Sequence, residues 1–203
     1  MPSVYDLKPQ FQRLLRPSMT QLARLGVTPN HITFVAAIVS IAIGLMVAMS
    51  ASDLRWLWVL PLWLLARMAL NALDGMMARE LQRASDLGAI LNEIGDVISD
   101  LALYLPLALV DQKSLWPALG FAIGAVLTEF CGLLGRALGA SRRYDGPMGK
   151  SDRALLIGAL GLITPFFPQL VAYWPWFFVL GAALTALTCR NRLAGTLQEL
   201  RAK

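Results

Sequence analysis

Charged residues are scarce in this sequence. They make up 15% of its 203 residues, while hydrophobic residues make up 57%. Soluble domains carry about 25% charged residues, so this composition excludes an ordinary soluble domain and is typical of a membrane protein. Cysteine is almost absent as well: Cys131 and Cys189 both fall in apolar runs, which argues against a disulfide framework. For the single histidine, His31, we expect an interfacial or capping role rather than a catalytic one.

Signals for additional modules are also missing. The first 20 residues are too polar for a signal peptide, since they contain no apolar core region. We find no low-complexity tract, no soluble domain and no internal repeat. Many transporters are built from repeated halves, so the missing repeat disfavours a small transporter.

Six apolar runs account for most of the chain. A spanning helix needs about 17–25 largely apolar residues. The third run reaches this length only if residues 86–100, with their acidic side chains, belong to the same helix. We therefore predict an all-α integral membrane protein with six transmembrane helices. The runs are residues 31–50, 56–73, 101–110, 115–135, 154–171 and 172–189.

Positive charge is placed asymmetrically around these six spans. Fifteen of the 18 Lys and Arg residues fall on one side, whereas the opposite loops hold only Arg55 and Lys113. By the positive-inside rule, both termini are expected to be cytoplasmic. The charges lie close to span ends, so we expect membrane lipids or phosphate-bearing substrates as partners, and no nucleic acid.

The N-terminal segment has its own pattern. Within residues 5–25, apolar residues recur at helical spacing with arginines between them, which predicts an amphipathic helix lying on the membrane. We therefore divide the chain into residues 1–29, a juxtamembrane helix and turn, and residues 30–203, a six-helix membrane domain.

Acidic residues are concentrated in residues 71–100. On the second span, residues 67, 71, 74 and 78 share one helical face, and on the third span residues 88, 92, 96 and 100 share another. A short turn joins the two spans, so the two polar faces should lie opposite each other. Ionisable groups in a membrane are costly and normally mark a cavity or an ion site. Oxygen ligands of this kind suit Mg²⁺, and such cations often bind phosphate as well. The alternative is a salt-bridged hairpin without a ligand.

The spacing in this segment resembles a known signature. It is similar to D-x2-D-G-x2-A-R-x8-G-x3-D-x3-D, which is typical of the CDP-alcohol phosphotransferase (CDP-alcohol phosphatidyltransferase) family, and more closely it resembles a YnbA-like bacterial branch. The match extends over 26 residues, and six spans, the N-terminal helix and the "TPNHIT" segment agree with it. The motif is Asn71-x2-Asp74-Gly75-x2-Ala78-Arg79-x8-Gly88-x3-Asn92-x3-Asp96.

The resemblance implies an activity and a site. The family transfers a phosphatidyl or related group from a CDP-linked donor, here most simply CDP-diacylglycerol, to the hydroxyl of a small polar alcohol, and CMP is released. It implies Mg²⁺ or Mn²⁺ as cofactor, a homodimer, and Asp96 as general base. The implied metal set is Asn71, Asp74, Asn92 and Asp96. The implied nucleotide and pyrophosphate set is Asn30, Thr33, Asp74, Gly75, Ala78, Arg79 and Gly88.

The sequence departs from the signature at Asn71 and Asn92, where the family has aspartates. Asn offers a carbonyl oxygen but no charge. By depth in its span, Glu129 is a candidate additional metal ligand or a hydrogen-bonding partner of the asparagines; the alternative is a hydrogen bond to another helix. Arg67 and Asp100 lie at one depth, and we expect a buried ion pair between them.

Basic residues near the fifth span form a second candidate region. Lys150 and Arg153 are candidates for binding the acceptor or its phosphate, or else for anchoring lipid headgroups. Arg142 and Arg143 are expected to contact lipid. Three hypotheses follow. The first is an active transferase, with the reversed roles of lipid and headgroup as donor and acceptor as a variant of it. The second is a non-catalytic relative that binds nucleotide or lipid through a degenerate metal site, and the third, least favoured, is a transporter.

Overall fold

The structure, a computed structural model, describes residues 4–203, with side chains described from residue 10 onward. This part of the chain is helical and contains no strand. Short 3-10 segments connect several of its helices. The α-helices are α1 (Val4–Arg24), α2 (Pro29–Met49), α3 (Val59–Glu80), α4 (Asp86–Tyr104), α5 (Leu115–Ala137), α6 (Lys150–Ile163) and α7 (Trp174–Arg201).

Four helical segments are long and apolar enough to cross a membrane: Pro29–Met49, Leu54–Glu80, Gln112–Ala137 and Pro168–Arg201. Of the six predicted spans, the two that do not meet this criterion are α4, which carries four acidic residues, and α6, which has 14 residues. At 1.5 Å per residue, α6 is about 21 Å long, less than the hydrocarbon core of about 30 Å. The all-helical fold is thus confirmed for the described residues. Of the six predicted spans, four are long and apolar enough to cross a membrane.

The bounds of α6 differ from the apolar run at residues 154–171. The helix begins earlier, at Lys150, and ends at Ile163. Pro165 follows almost at once, and proline both lacks an N–H and disfavours helical conformation in the residue before it. Hydrophobicity alone therefore overestimated the length of this helix on its C-terminal side.

The apolar core lies at the end of the bundle away from the acidic residues. Tyr104 on α4 packs against Phe121 on α5, with ring centroids 5.5 Å apart. Phe121 in turn lies 5.9 Å from Phe178 on α7, and Phe178 lies 6.1 Å from Trp174. All four side chains are buried. This aromatic cluster fixes α4, α5 and α7 relative to one another and leaves their other ends free to carry polar groups.

Helix α2 packs against both α3 and α4. Its approach to α4 is very close at Gly44, where an added Cβ would meet the backbone carbonyl of Ala102. Nearer the acidic region, Gly95 of α4 leaves room for Thr33 of α2. The glycines of these helices therefore bring α2 close to α4, and polar side chains bridge the cleft between α3 and α4.

The start of α2 is fixed by a capping box. The Thr28 hydroxyl accepts from the N–H of His31 at 3.3 Å, and the Thr28 N–H donates to Nδ1 of His31 at 3.4 Å. His31 thus has the capping role expected from its position. Pro29 has no N–H, so two of the three free N–H groups at this helix end gain partners, which fixes the neighbouring Asn30 and Thr33 in place.

Helix α1 packs along the end of α3 that carries the polar residues. Met19 is buried in a small cluster with Leu73, Met76 and Met77. The apolar face of α1 is thus turned toward α3 in this region, while Leu14 and Leu25 of the N-terminal segment are exposed. This agrees with an amphipathic helix beside the membrane domain. The domain boundary at residue 29 stays a prediction.

Candidate active site

A cavity of about 310 Å³ opens where α2 begins, α3 ends and α4 begins. Its position follows from the turn at residues 81–85, which reverses the chain and sets the polar faces of α3 and α4 opposite each other. Nine residues of the predicted metal and nucleotide sets line it. They are Asn30, Thr33, Asn71, Asp74, Gly75, Ala78, Arg79, Gly88 and Asn92.

Two polar residues of this cavity were not among the candidates. Arg83 and Ser85 line it as well. Arg83 donates to the carbonyl of Val27 at 3.3 Å, and the Ser85 hydroxyl caps α4 by accepting from the N–H of Gly88 at 3.0 Å. Both residues lie in the eight-residue gap of the signature, whose length matches the family but whose residues carry no pattern. A serine followed by a helical segment is a capping signal that could have identified Ser85.

Asp74 is the one acidic residue among the described residues that line this cavity. Its side chain is buried and accepts a hydrogen bond from the Thr33 hydroxyl at 3.0 Å. Among the residues whose side chains are described, no Lys or Arg lies within ion-pair distance of this carboxylate. A buried ionised carboxylate without a cation is costly, so Asp74 is the position in the cavity where a cation would be most strongly stabilised.

Asp96 is held through one of its two oxygens. Oδ1 accepts from Asn71 Nδ2 at 3.3 Å and from Arg67 Nη2 at 3.3 Å, and it forms an ion pair with the Lys150 ammonium. The described hydrogen bonds and ion pairs include none to Oδ2. The carboxylate is therefore fixed in orientation, while its second oxygen is available to another group.

The predicted ion pair between Arg67 and Asp100 is present. Arg67 Nη1 lies 2.5 Å from Asp100 Oδ1, and both side chains are buried. Arg153 Nη2 donates to the other oxygen of Asp100 at 3.0 Å. Asp100 is therefore neutralised on both sides and belongs to the floor of the site. Paired buried charges of this kind fix geometry more than they add stability.

Glu129 lies in a cluster of three arginines. Its Oε1 accepts from Arg153 at 3.0 Å and lies 3.7 Å from Arg192, while its Oε2 lies 3.5 Å from Arg142. The described contacts of this carboxylate include neither Asp74 nor Asp96. The geometry favours the alternative considered for Glu129, a bond to neighbouring helices, and our proposals below do not use it as a metal ligand.

Arg142 forms an ion pair within the chain. It pairs with Glu93 through both terminal nitrogens, and its guanidinium lies over the ring of Tyr144, 5.1 Å from the centroid. Arg143 likewise binds Asp145 at 2.8 Å. These ion pairs were not expected, because residues 138–149 form a non-helical loop whose path sequence periodicity does not reveal; the lipid contacts stay a prediction.

The two predicted acceptor-binding residues have different surroundings. Arg153 is fully buried, and its Nη1 also donates to the Thr128 hydroxyl at 2.8 Å. Lys150 is partly exposed and lines a second cavity of about 200 Å³ together with Arg67, Asn71 and Ser151. Lys150 is thus accessible to a ligand, whereas Arg153 belongs to the buried network.

Lys150 begins α6, and its position is fixed by the local backbone. The helix is capped at Gly149, whose N–H donates to Oδ2 of Asp152 at 2.9 Å. Asp152, and not the neighbouring Ser151, therefore makes the capping contact. Because the backbone is fixed here, the Lys150 side chain reaches Asp96 from a defined starting point.

The donor set for a metal is reduced by the two asparagines. Among the described side chains, no group of three or more His, Cys, Asp or Glu is arranged to hold a metal ion. The four signature positions supply two carboxylates and two amides. These oxygens still suit a hard cation such as Mg²⁺ or Mn²⁺, and Asp74 lacks a cationic partner.

Comparison with known proteins identifies the family. The family model for CDP-alcohol phosphatidyltransferase matches residues 26–187. The chain belongs to this family. It is 44% identical to the inner membrane protein YnbA of Escherichia coli strain K12 over 195 residues, 96% of each chain. It is 28% identical over 192 residues to the phosphatidylinositol phosphate synthase of Cutibacterium acnes, with 91% of this chain and 88% of that protein covered.

The fold of this family member is also found in solved structures. A crystal structure of Mycobacterium tuberculosis phosphatidylinositol phosphate synthase with CDP-DAG bound gives a TM-score of 0.74 at 22% identity, covering 91% of this chain and 94% of that one. The crystal structure of the same protein with manganese and citrate gives 0.73, covering 89% and 88%. The family and the YnbA-like branch inferred from the signature are both confirmed.

Proposed function

We propose that this family member is an active phosphatidyltransferase. It would transfer a phosphatidyl group, most simply from CDP-diacylglycerol, to the hydroxyl of a small polar alcohol and release CMP. The observation that carries this proposal is the single cavity that collects Asp74, both asparagines and the small residues of the signature. The relatives named phosphatidylinositol phosphate synthases, one of them crystallised with CDP-DAG, support the donor.

The nucleotide end of the donor is proposed to bind in the 310 Å³ cavity. Gly75, Ala78 and Gly88 leave space there, and an added Cβ at Gly88 would lie 2.7 Å from Oδ1 of Asn30. Arg79 and Arg83 supply positive charge along the same wall. Guanidinium groups bind phosphate oxygens through paired hydrogen bonds, so these two arginines are suited to the pyrophosphate.

One divalent cation fits the residues present. Asp74 provides a carboxylate without a cationic partner in the described part of the chain, and Asn71 and Asn92 provide amide oxygens at the same cavity. The crystal structure of the related mycobacterial protein with manganese supports a divalent ion. When bound, such an ion would neutralise the negative charge of the pyrophosphate.

Asp96 is proposed as the general base. Its Oδ1 is held by Asn71, Arg67 and Lys150, which leaves Oδ2 to accept the proton of the acceptor hydroxyl. The hydroxyl oxygen then attacks the β-phosphorus of the donor, the bond between that phosphorus and the bridging oxygen breaks, and CMP leaves. The chain's own contribution is positioning and charge, as is usual for phosphoryl transfer.

The acceptor is proposed to enter through the 200 Å³ cavity. This cavity has a polar side, formed by Arg67, Asn71, Lys150 and Ser151, and it adjoins Asp96 through Lys150. A small alcohol with several hydroxyl groups or a phosphate could use these donors. The polar wall supports such an acceptor, and we keep the forward arrangement as the proposal; the other lining residues are the apolar Leu64, Met68, Ala72 and Ala154.

We propose that the protein lies in a bacterial inner membrane with the site on the cytoplasmic side. The E. coli relative named an inner membrane protein supports this placement. We further propose that α4 and α6 complete six spans, because the described ion pairs of Asp96, Asp100 and Arg153 face the bundle interior. The homodimer remains a prediction.

A CMP-release assay tests the function. The purified protein would be incubated with CDP-diacylglycerol, Mg²⁺ or Mn²⁺ and a panel of polar alcohols, with alcohol-free samples as controls. Alcohol-dependent CMP release and a new phospholipid would support the transferase. Binding of CDP-diacylglycerol without any CMP release, across the panel, would instead support the non-catalytic relative, which the involvement of Asp96 in ion pairs makes the second candidate.

A further inference from the structure

Among the described side chains, four carboxylates around the site have a cationic partner and a fifth has none. Glu93, Asp96, Asp100 and Glu129 each lie within ion-pair distance of a Lys or Arg side chain. Asp74 has no such partner among the residues whose side chains are described, although it is buried. The protein itself therefore pairs Asp96 with a cation and leaves the Asp74 carboxylate without a contacting one, although Arg79 and Arg83 line the same cavity.

We propose that Lys150 is a fixed counter-cation of Asp96, so that this site takes one divalent cation, at Asp74, and not two. The proposal rests on the proposed function and deepens it. In this arrangement the Lys150 ammonium group neutralises Asp96, and a single metal ion neutralises Asp74.

The contacts of Asp96 oppose a metal ion at its Oδ1. That oxygen already has three donors, two of them positively charged, from Asn71, Arg67 and Lys150. A divalent ion there would either displace the ammonium or lie beside it. Like charges at such short range repel strongly inside a protein, where screening is weak.

The orientation of Asn71 agrees with this division. Its amide nitrogen donates to Asp96, so its amide oxygen faces away from that carboxylate. Asn71 also lines the cavity that contains Asp74 and Asn92. The Asn71 amide thus donates a hydrogen bond to Asp96 through its nitrogen and offers its oxygen to a cation at Asp74. An aspartate at this position has no N–H and could not donate to Asp96.

The position of Lys150 in its helix also needs an explanation. It is the first residue of α6, where the helix dipole disfavours positive charge. The Asp96 carboxylate is its described ion-pair partner. A local cost of this kind is characteristic of functional positions, and here the compensation comes from the residue proposed as the base.

The number of bound ions tests the proposal. Titration of the purified protein with Mn²⁺, followed by electron paramagnetic resonance and calorimetry, should give one ion per chain. Lys150→Met should raise this to two ions with a spin-coupled spectrum, and Lys150→Arg should keep one. Lys113→Met, at an exposed lysine, is the matched control and should also keep one. Two ions, or none, on the unsubstituted protein would overturn the proposal, as would a single ion on folded Lys150→Met.

The outcome is separate from that of the CMP-release assay. Two ions together with CMP release would refute the role of Lys150 and leave the transferase intact. One ion without CMP release, and two ions on Lys150→Met, would support the role of Lys150 and refute the transferase. If Lys150→Met does not elute as a monodisperse folded protein, the ion count on the unsubstituted chain and on Lys150→Arg still decides.

Discussion

Arg153 and Asp100 form a fully buried ion pair, with Nη2 of the arginine 3.0 Å from Oδ2 of the aspartate. The same nitrogen donates to Glu129 at 3.0 Å. One guanidinium from α6 thus connects α4 to α5 beneath the site. Because these groups are out of contact with solvent, the pair determines how the helices that carry Asp96 and Lys150 are placed.

Replacing Arg153 should therefore destabilise the fold. Arg153→Met leaves two buried carboxylates short of a partner, and removing one member of a buried ion pair costs about 3–5 kcal/mol. We expect a clear drop in the thermal unfolding midpoint in detergent. Arg136→Met, at an exposed position near the end of α5, should leave the midpoint unchanged. Equal midpoints for the two variants would contradict the structural role.

Asp96→Asn should abolish transfer while the protein stays folded. The substitution keeps the shape and removes the oxygen that accepts the proton, and general-base catalysis is worth about 10²–10⁴-fold. The measurement is the rate of CMP release, with the unfolding midpoint as the control for folding. Activity above about a tenth of that of the unsubstituted protein would show that another group is the base.

Restoring both signature aspartates should strengthen metal binding. Asn71→Asp together with Asn92→Asp adds two negative charges at the cavity that contains Asp74, and hard cations prefer carboxylate over amide oxygens. The concentration of Mg²⁺ or Mn²⁺ at half-saturation should fall, without a necessary gain in rate, because Asp96 also loses its Asn71 donor. An unchanged half-saturation would argue that these positions do not face the ion.

Glu129→Gln distinguishes the arginine cluster from a metal role. Since Glu129 contacts Arg142, Arg153 and Arg192, we expect a lower unfolding midpoint and a metal-dependence curve that overlays that of the unsubstituted protein. If the variant instead needs markedly more metal for half-maximal activity, Glu129 acts on the cation and our assignment is wrong.

Gly88→Ala should weaken donor binding. The new Cβ would lie 2.7 Å from Oδ1 of Asn30 and 3.1 Å from Oγ of Ser85, two atoms at the wall of the cavity. Displacement of these side chains into the cavity should raise the KM for CDP-diacylglycerol more than it lowers kcat. The control is Gly120→Ala, where an added Cβ meets nothing within 4 Å. Parallel changes in both variants would mean that the effect is on the helices and not on the cavity.

The parts of the site that follow helical spacing could be predicted from the sequence. The faces of α3 and α4 follow from intervals of three and four residues, and the pairing of Arg67 with Asp100 follows from equal depth in antiparallel helices. The family signature then assigned roles to residues that spacing had already brought together. For these residues, local geometry and short connections determine the outcome.

The arginine cluster could not be predicted in this way. Arg142 reaches Glu93 from a non-helical loop, and Arg192 reaches Glu129 from α7, far along the chain. Such contacts depend on how separate helices pack, which no periodicity encodes. Positive charges near span ends are ordinarily assigned to headgroups, and that rule does not indicate that an arginine such as Arg142 pairs with an acidic side chain of the protein.

Asn71 lines both the 310 Å³ and the 200 Å³ cavities. Two chambers that share a single side chain can hold donor and acceptor at the same moment, on opposite sides of the transferred phosphorus. The kinetics should then be sequential, with intersecting double-reciprocal lines, and no phosphatidylated protein should accumulate when the alcohol is withheld. If the donor is made chiral at that phosphorus, the configuration at phosphorus should be inverted in the product, because one displacement takes place and not two.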